Sequence, residues 1–192
     1  MTTTSEDKAP REFEDTAKAV RKGLIMIYTG DGKGKTTAAL GMVFRALGRN
    51  YRVAVVQFIK GAWKTGEALF AKELEGRVDF FSLGDGFTWI TQNFEQDVKS
   101  AREAWDKCLE VIVDPLYRIV IFDELNYVIK YNFLTVGEVL EGLKRKPADT
   151  HVVITGRDAP PELIEVADLV TEMRDIKHPY RAGIKAQPGV DY

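Results

Sequence analysis

The feature that most constrains this sequence is a glycine-rich run placed between an apolar segment and an amphipathic segment. Residues 24–28 are hydrophobic and predict a buried strand, and the pattern over residues 35–48 predicts a helix. Residues 29–37 between them read Thr-Gly-Asp-Gly-Lys-Gly-Lys-Thr-Thr. Glycines let the backbone turn tightly and point successive N–H groups at one place, where the helix N-terminus adds positive potential. This order is typical of a P-loop, which binds the phosphates of a nucleotide.

The run departs from the usual P-loop pattern, Gly-x-x-x-x-Gly-Lys-Ser/Thr, at its first position. Thr29 stands where the first glycine is expected, and glycine follows one place later at Gly30. In a P-loop Lys35 would neutralise phosphate charge and Thr36 would coordinate Mg²⁺. The alternative is a glycine-rich turn that binds no ligand. We expect a modified loop that holds its nucleotide in an unusual pose.

A second acidic element supports a nucleotide site. Residues 119–124 read Ile-Val-Ile-Phe-Asp-Glu, which predicts a buried strand that ends in two carboxylates. In P-loop proteins such a strand directs an aspartate toward Mg²⁺, and we expect it to lie beside the P-loop strand. Asp123 and Glu124 would therefore bind or order the metal. Alternatively, Asp123 caps the following helix, with an acidic first turn.

The rest of the chain alternates strands and helices. Further strands are predicted at 53–59, 78–82, 117–122, 151–155 and 169–173, and further helices from 93 to about 113, from 135 to before Pro147, and over 160–167. Two helix starts carry a capping-box pattern, Asn93 with Gln96 and Thr135 with Glu138. Short apolar strands between helices predict an α/β fold. We expect a three-layer, P-loop NTPase-like (RecA-like) domain over residues 23–192, with a mostly parallel sheet of about six strands.

Composition narrows the classes of partner and compartment. The 27 Lys and Arg residues against 29 Asp and Glu give a net charge of −2, which does not favour bulk binding of nucleic acid. The apolar runs are far shorter than the roughly 20 residues of a membrane-spanning helix, so we expect no membrane partner. Cys108 is the only cysteine, which excludes an internal disulfide and suits the cytoplasm. Residues 1–22 are polar and form either a disordered terminus or an arm that orders on a partner or ligand.

Several further motifs are specific in combination. They are Gln57-Phe58-Ile59-Lys60-Gly61, Gly86-Phe87-Thr88-Trp89, Thr91-Gln92-Asn93, Asp123-Glu124-Leu125, Thr155-Gly156-Arg157, Lys177-His178-Pro179-Tyr180 and Gly189-Val190-Asp191-Tyr192. Together with the P-loop, they closely resemble the P-loop type of corrinoid adenosyltransferase, or cob(I)alamin adenosyltransferase. The resemblance runs from about residue 24 to residue 192.

The resemblance implies a reaction that composition could not show. In that family a reduced Co(I) corrinoid attacks C5′ of MgATP, so that the adenosyl group moves to cobalt and the triphosphate leaves. The corrinoid is cobalamin or a precursor, the electron donor is a reduced flavoprotein, and the enzyme is a homodimer whose N-terminal arm covers the site. The alternatives are a P-loop kinase or NTPase, and a regulator that binds a nucleotide or a corrinoid without catalysis.

The resemblance also implies roles for individual residues. Phe87 and Trp89 would occupy the lower face of the corrinoid and exclude its axial ligand, and these two act with Lys35 in catalysis. Packing in the core is the alternative for both rings. The predicted ATP site comprises Thr29, Gly30, Asp31, Gly32, Lys33, Gly34, Lys35, Thr36, Thr37, Lys60 and Arg157, and the predicted magnesium site comprises Thr36, Asp123 and Glu124. A surface ion pair is the alternative for Arg157. Cys108 falls on the apolar face of its helix and is assigned to the core.

Overall fold

A single parallel sheet forms the centre of the molecule. The computed structural model describes residues 20–59, 65–74, 76–83 and 94–191. The strands in these ranges are β1 (Ile25–Thr29), β2 (Arg52–Gln57), β3 (Val78–Ser82), β4 (Tyr117–Asp123), β5 (His151–Thr155) and β6 (Leu169–Glu172). They pair in the order β3-β2-β4-β5-β1-β6, and every neighbouring pair is parallel. The six predicted strands are thus confirmed, with ends that differ by at most two residues.

Helices cover both faces of this sheet. Those described are α1 (Lys35–Leu47), α2 (Gly66–Ala71), α3 (Phe94–Val113), α4 (Leu125–Lys130), α5 (Val136–Leu143) and α6 (Pro161–Val166), with short 3₁₀ turns at Lys72–Leu74 and Pro179–Ala182. Four of these helices match the predicted ones. The sequence predicted no bounds for α2 or α4, and a helix after β4 appeared only in the alternative for Asp123. Each has only 6 residues and shows too few turns for a helical period.

The alternation of side-chain direction along each strand explains why the core has two layers, one on each face of the sheet. Met26 of β1 packs in the layer that contains Ala39 and Val43 of α1. The next residue, Ile27, packs in the opposite layer, which contains Trp105 and Cys108 of α3. Since successive strand side chains point to opposite faces, fully apolar strands require helices on both sides. Cys108 has no exposed surface, which confirms its assignment to the core.

One prediction about strand order is wrong. The acidic strand β4 does not lie beside the P-loop strand β1, because β5 is inserted between them. Parallel pairing nevertheless brings the carboxyl ends of these strands to one edge, since Tyr28 is in register with Thr155 and Gln57 with Asp123. Ligands bind at this edge in open α/β sheets.

Several predicted features lie outside the described residues. They are residues 1–19 of the predicted N-terminal arm (residues 1–22), Lys60, Phe87, Trp89 and the proposed cap Asn93. The second capping box is confirmed, because Thr135 and Glu138 exchange hydrogen bonds at the start of α5. Within the described ranges, no helix combines the length and hydrophobicity needed to cross a bilayer.

Candidate functional site

The loop between β1 and α1 ends in a left-handed glycine. Gly34 has φ of 107° and caps α1 without any side-chain hydrogen bond. An L-residue in this conformation would be strained by about 1–2 kcal/mol. No side chain therefore caps the first N–H groups of α1. These groups remain available to bind an anion at the loop, as a P-loop requires.

The chain that follows β6 forms backbone hydrogen bonds with this loop. The N–H of Gly32 donates to the carbonyl of Met173 at 2.7 Å, and the N–H of Met173 donates to the carbonyl of Thr29 at 2.8 Å. A Cβ atom added at Gly32 would lie 2.7 Å from the carbonyl oxygen of Arg174. Glycine at this position is thus required by the neighbouring backbone, independently of any phosphate.

The departure at Thr29 has a structural explanation. Thr29 is buried, and its Oγ1 accepts a hydrogen bond from the N–H of Ala159 at 3.1 Å. Glycine has no side chain with which to make this bond. The threonine therefore ties the start of the P-loop to the segment after β5, and the nucleotide pose inferred from it stays a prediction.

Lys35 lies within the loop and not in solvent. Its side chain is buried, and its ammonium donates to the carbonyl oxygens of Gly30 at 2.8 Å and Gly32 at 2.7 Å. Burial lowers the pKa of Lys35 below its usual range, and the nearby carboxylate of Glu124 opposes this effect. A partly desolvated ammonium interacts strongly with an anion, because little water screens it.

Asp123 joins the P-loop helix to two other strands. Its Oδ1 accepts hydrogen bonds from the Thr36 hydroxyl at 2.8 Å and the Thr155 hydroxyl at 2.7 Å. Its Oδ2 accepts one from Nε2 of Gln57 at 3.1 Å. Burial raises the pKa of Asp123, while the hydrogen bonds from Thr155, Gln57 and Thr36 favour the charged form. Asp123 and Thr36 are therefore in direct contact, and their shared role at a magnesium ion stays a prediction.

Glu124 has a strained backbone and a free oxygen atom. It has φ of 63° and is the N-cap of α4, so the alternative that Asp123 caps this helix is wrong. Its N–H donates to the Thr155 hydroxyl at 2.9 Å, and its buried Oε2 has no hydrogen-bond partner. Burial and the charge of Asp123 raise the pKa of Glu124 to about 7, against the charges of Lys35 and Arg157. Strain of this kind often accompanies a functional site.

The charged residues on the outer side of the loop are more exposed. Nε of Arg157 lies 3.9 Å from Oδ1 of Asp31, and half of the Arg157 side chain is exposed. This is the weak surface ion pair that we gave as the alternative for Arg157, and its contact with a phosphate stays a prediction. Lys33 forms a salt bridge with Asp191, near the C-terminal end of the described chain.

Lys35, Thr36, Asp123 and Glu124 line one cavity of about 570 Å³, whereas Asp31 and Arg157 line a separate one. Its lining includes Lys33, Gly34, Lys35, Thr36, Thr37, Gln57, Glu67, Asp123, Glu124, Gly189, Val190 and Asp191. The sequence assigned no role to Gln57 or Thr155, although a polar residue at the end of an apolar strand was a usable signal. No local pattern indicated that residues 189–191 would reach the P-loop.

A family model described as ATP:corrinoid adenosyltransferase BtuR/CobO/CobP matches residues 21–192. The chain belongs to this family. The resemblance inferred from the motifs is confirmed, and the kinase, NTPase and non-catalytic alternatives are not favoured. As a member of this family the chain is an enzyme that acts on corrinoids with ATP.

Curated relatives agree with the family assignment. The chain is 51% identical over 187 residues to a corrinoid adenosyltransferase of Sinorhizobium sp, covering 96% of this chain and 87% of the relative. It is 43% identical over 196 residues to a corrinoid adenosyltransferase of Pseudomonas aeruginosa, covering 97% of each.

A solved structure supports the fold alone. The chain resembles the flagellar accessory protein FlaH of Methanocaldococcus jannaschii with a TM-score of 0.54 and 12% identity, covering 80% of this chain and 72% of that one. The predicted three-layer, P-loop NTPase-like fold is thereby confirmed.

Proposed function

We propose that this chain transfers the 5′-deoxyadenosyl group of ATP to the cobalt of a reduced Co(I) corrinoid and releases triphosphate. The observation that carries the proposal is the single cavity in which Lys35, Thr36, Asp123 and Glu124 meet, in a chain of this family. The cobalt of the substrate supplies the electron pair of the new cobalt–carbon bond. The C5′–O bond breaks, and its electron pair stays on the oxygen of the departing triphosphate, so no proton needs to move in this step.

The P-loop would act on the leaving group. Negative charge develops on the triphosphate as the C5′–O bond breaks, and the Lys35 ammonium and the N–H groups at the start of α1 would stabilise it. These groups are already held in position by the fold, because Gly30 and Gly32 orient Lys35. Little rearrangement is therefore needed during the reaction.

The residues at the end of β4 fit a magnesium ion. Asp123 already orients the Thr36 hydroxyl, and Glu124 has a buried oxygen without a hydrogen-bond partner. The described residues contain no cluster of three or more His, Cys, Asp or Glu side chains that could hold a metal by itself. Mg²⁺ commonly binds one or two carboxylates together with phosphate oxygens. Thr36, Asp123 and Glu124 would hold the ion, which would add positive charge beside the triphosphate.

Phe87 and Trp89 would contact the corrinoid from below. Both belong to the segment between β3 and α3, which begins at the carboxyl edge of the sheet, the edge that carries the P-loop. An apolar ring offers no lone pair to cobalt, so it would favour loss of the lower axial ligand. Loss of that ligand makes Co(II) easier to reduce to the Co(I) nucleophile.

The partners follow from the same chemistry. Co(I) has to be generated by a reductant, and we propose a reduced flavoprotein for this role. We further propose that the enzyme is a homodimer in which residues 1–22 cover the site. We also propose that it acts in the cytoplasm, because its lone buried cysteine, Cys108, suits that compartment.

A product assay tests the proposed reaction. Incubation with MgATP and chemically reduced cobalamin should yield a light-sensitive adenosylated corrinoid and inorganic triphosphate. Release of ADP and phosphate instead would contradict the proposal, and tight binding of ATP and corrinoid without turnover would identify a regulator.

A second assay tests the cobalt-facing aromatics. Phe87→Ala and Trp89→Ala should impair the reaction that starts from Co(II) far more than the reaction that starts from prereduced Co(I). Equal losses in the two assays would argue against the role at the lower face.

A further inference from the structure

The chain beyond β6 returns to the P-loop twice. Met173 accepts the hydrogen bond from the Gly32 N–H immediately after the strand ends. Residues 189–191 then line the cavity that contains Lys35 and Thr36. The last described part of the chain is therefore a wall of the proposed triphosphate site.

A closed turn orients the Asp191 carboxylate in this wall. One carboxylate oxygen accepts the N–H of Gln187 at 2.9 Å, and the Asp191 N–H donates to the Gln187 carbonyl, also at 2.9 Å. The other carboxylate oxygen forms the salt bridge with the Lys33 ammonium. The Asp191 side chain is 19% exposed and that of Lys33 is 49% exposed, so the acid is the more enclosed partner.

Lys33 thus has two anions that it could pair with, the Asp191 carboxylate and a bound triphosphate. It belongs to the phosphate-binding loop and lines the cavity, yet its ammonium is paired with a carboxylate of the same chain. A triphosphate in this cavity would attract Lys33 and repel Asp191. Charges in contact near a protein surface attract or repel one another enough for such competition to change binding measurably.

We propose that Asp191 is a positioning residue that competes with the triphosphate for Lys33 and thereby weakens retention of the released triphosphate. This inference rests on the proposed function, in which triphosphate leaves from this loop. When the C5′–O bond breaks, its electron pair stays on the α-phosphate oxygen, so the product carries one more negative charge than the triphosphate part of ATP. The loop would otherwise hold the product more tightly than the substrate, and Asp191 opposes the more negative ligand more strongly.

Binding of inorganic tripolyphosphate and of ATP tests the inference. Calorimetry on the full chain, with and without Mg²⁺, should show that Asp191→Asn tightens tripolyphosphate binding about threefold, the scale of one partly exposed ion pair. ATP binding should tighten less. In steady-state assays the inhibition constant of tripolyphosphate should fall while the KM for ATP changes less. The effect should shrink at high salt, because exposed charges are then screened.

Two further variants identify the cause. In a Lys33→Gln background, the Asp191→Asn substitution should tighten tripolyphosphate binding clearly less, because the contested ammonium is gone and only the direct repulsion of the ligand is relieved. Asp106 is an exposed acid on α3, so Asp106→Asn removes one negative charge outside the cavity lining. It should leave the affinities for tripolyphosphate and ATP unchanged. Unchanged or weaker tripolyphosphate binding in Asp191→Asn, or equal tightening with and without Lys33, would overturn the inference.

Lys35→Ala separates this inference from the proposed function. If that variant binds ATP and tripolyphosphate as well as the wild type, the P-loop site itself is wrong. If it loses both ligands while Asp191→Asn has no effect, the site stands and only the role of Asp191 fails.

Discussion

Two helix N-termini in this molecule are built in opposite ways. Helix α5 begins after Thr135, whose hydroxyl accepts the Glu138 N–H at 3.2 Å while the Glu138 carboxylate accepts the Thr135 N–H at 2.8 Å. Helix α1 begins after Gly34, which has no side chain and a left-handed backbone. The capping box of α5 satisfies N–H groups at the start of that helix, whereas the first N–H groups of α1 are left for another acceptor. The difference fits a structural role for the start of α5 and supports the proposed anion-binding role of the start of α1.

The largest effect is expected at the lysine of the uncapped helix. Lys35→Ala should reduce ATP affinity by about 100-fold or more, since a charge-assisted bond to phosphate is worth roughly 1.5–3 kcal/mol and Lys35 can make several contacts. Stability should change little, because relief of the buried charge of Lys35 offsets the loss of its hydrogen bonds to Gly30 and Gly32. Calorimetry and thermal unfolding measure the two quantities. Lys144→Ala, just after α5, is the matched control and should affect neither.

Glycine substitutions in α1 sharpen the contrast within one helix. Gly34→Ala should lower the free energy of unfolding by about 1–2 kcal/mol, because alanine is strained at φ of 107°. Gly41→Ala, inside the same helix and with open space around its Cβ position, should raise it by about 0.5–1 kcal/mol. Urea unfolding of both variants tests this, and a loss of stability in Gly41→Ala would show that the backbone argument is wrong.

Removing the cap of α5 should affect folding and not binding. Thr135→Ala should lower the free energy of unfolding by about 1 kcal/mol, the usual contribution of a side-chain cap. ATP affinity should stay at the wild-type value, because α5 lies outside the cavity. A large loss of ATP binding in this variant would remove the distinction between the two helix starts.

The smallest effect concerns pH and the same capping box. Hydrogen bonds from the Thr135 backbone and hydroxyl, and from Arg102, lower the pKa of Glu138 to about 2 from a usual 4.5. Because the folded-state pKa is the lower one, the stabilisation is complete above about pH 4.5 and is lost as the pH falls toward 2. The stability difference between the wild type and Glu138→Gln should therefore shrink on acidification. We expect a small change, since water screens the partly exposed carboxylate, and a difference independent of pH would contradict the assignment.

Local patterns predicted most of the fold. Apolar strands with helices between them predicted the parallel sheet, and Thr135 with Glu138 predicted a helix start that the structure contains. The same patterns missed α4, because its start depends on the left-handed backbone of Glu124 and not on a capping side chain. The expectation that β4 lies beside β1 came from other P-loop proteins, and no local pattern reveals that β5 is inserted between them.

The sequence by itself determined the chemistry of the site: a glycine loop with Lys35 and Thr36, and a strand that ends in Asp123 and Glu124. Those features are local, because a few consecutive residues set the turn, the helix start and the strand end. Only the tertiary structure decided which groups surround them. Thr155 meets Asp123 through strand order, and Asp191 reaches Lys33 from 158 positions along the chain. Contacts between such distant residues depend on how the layers pack, which no short pattern encodes.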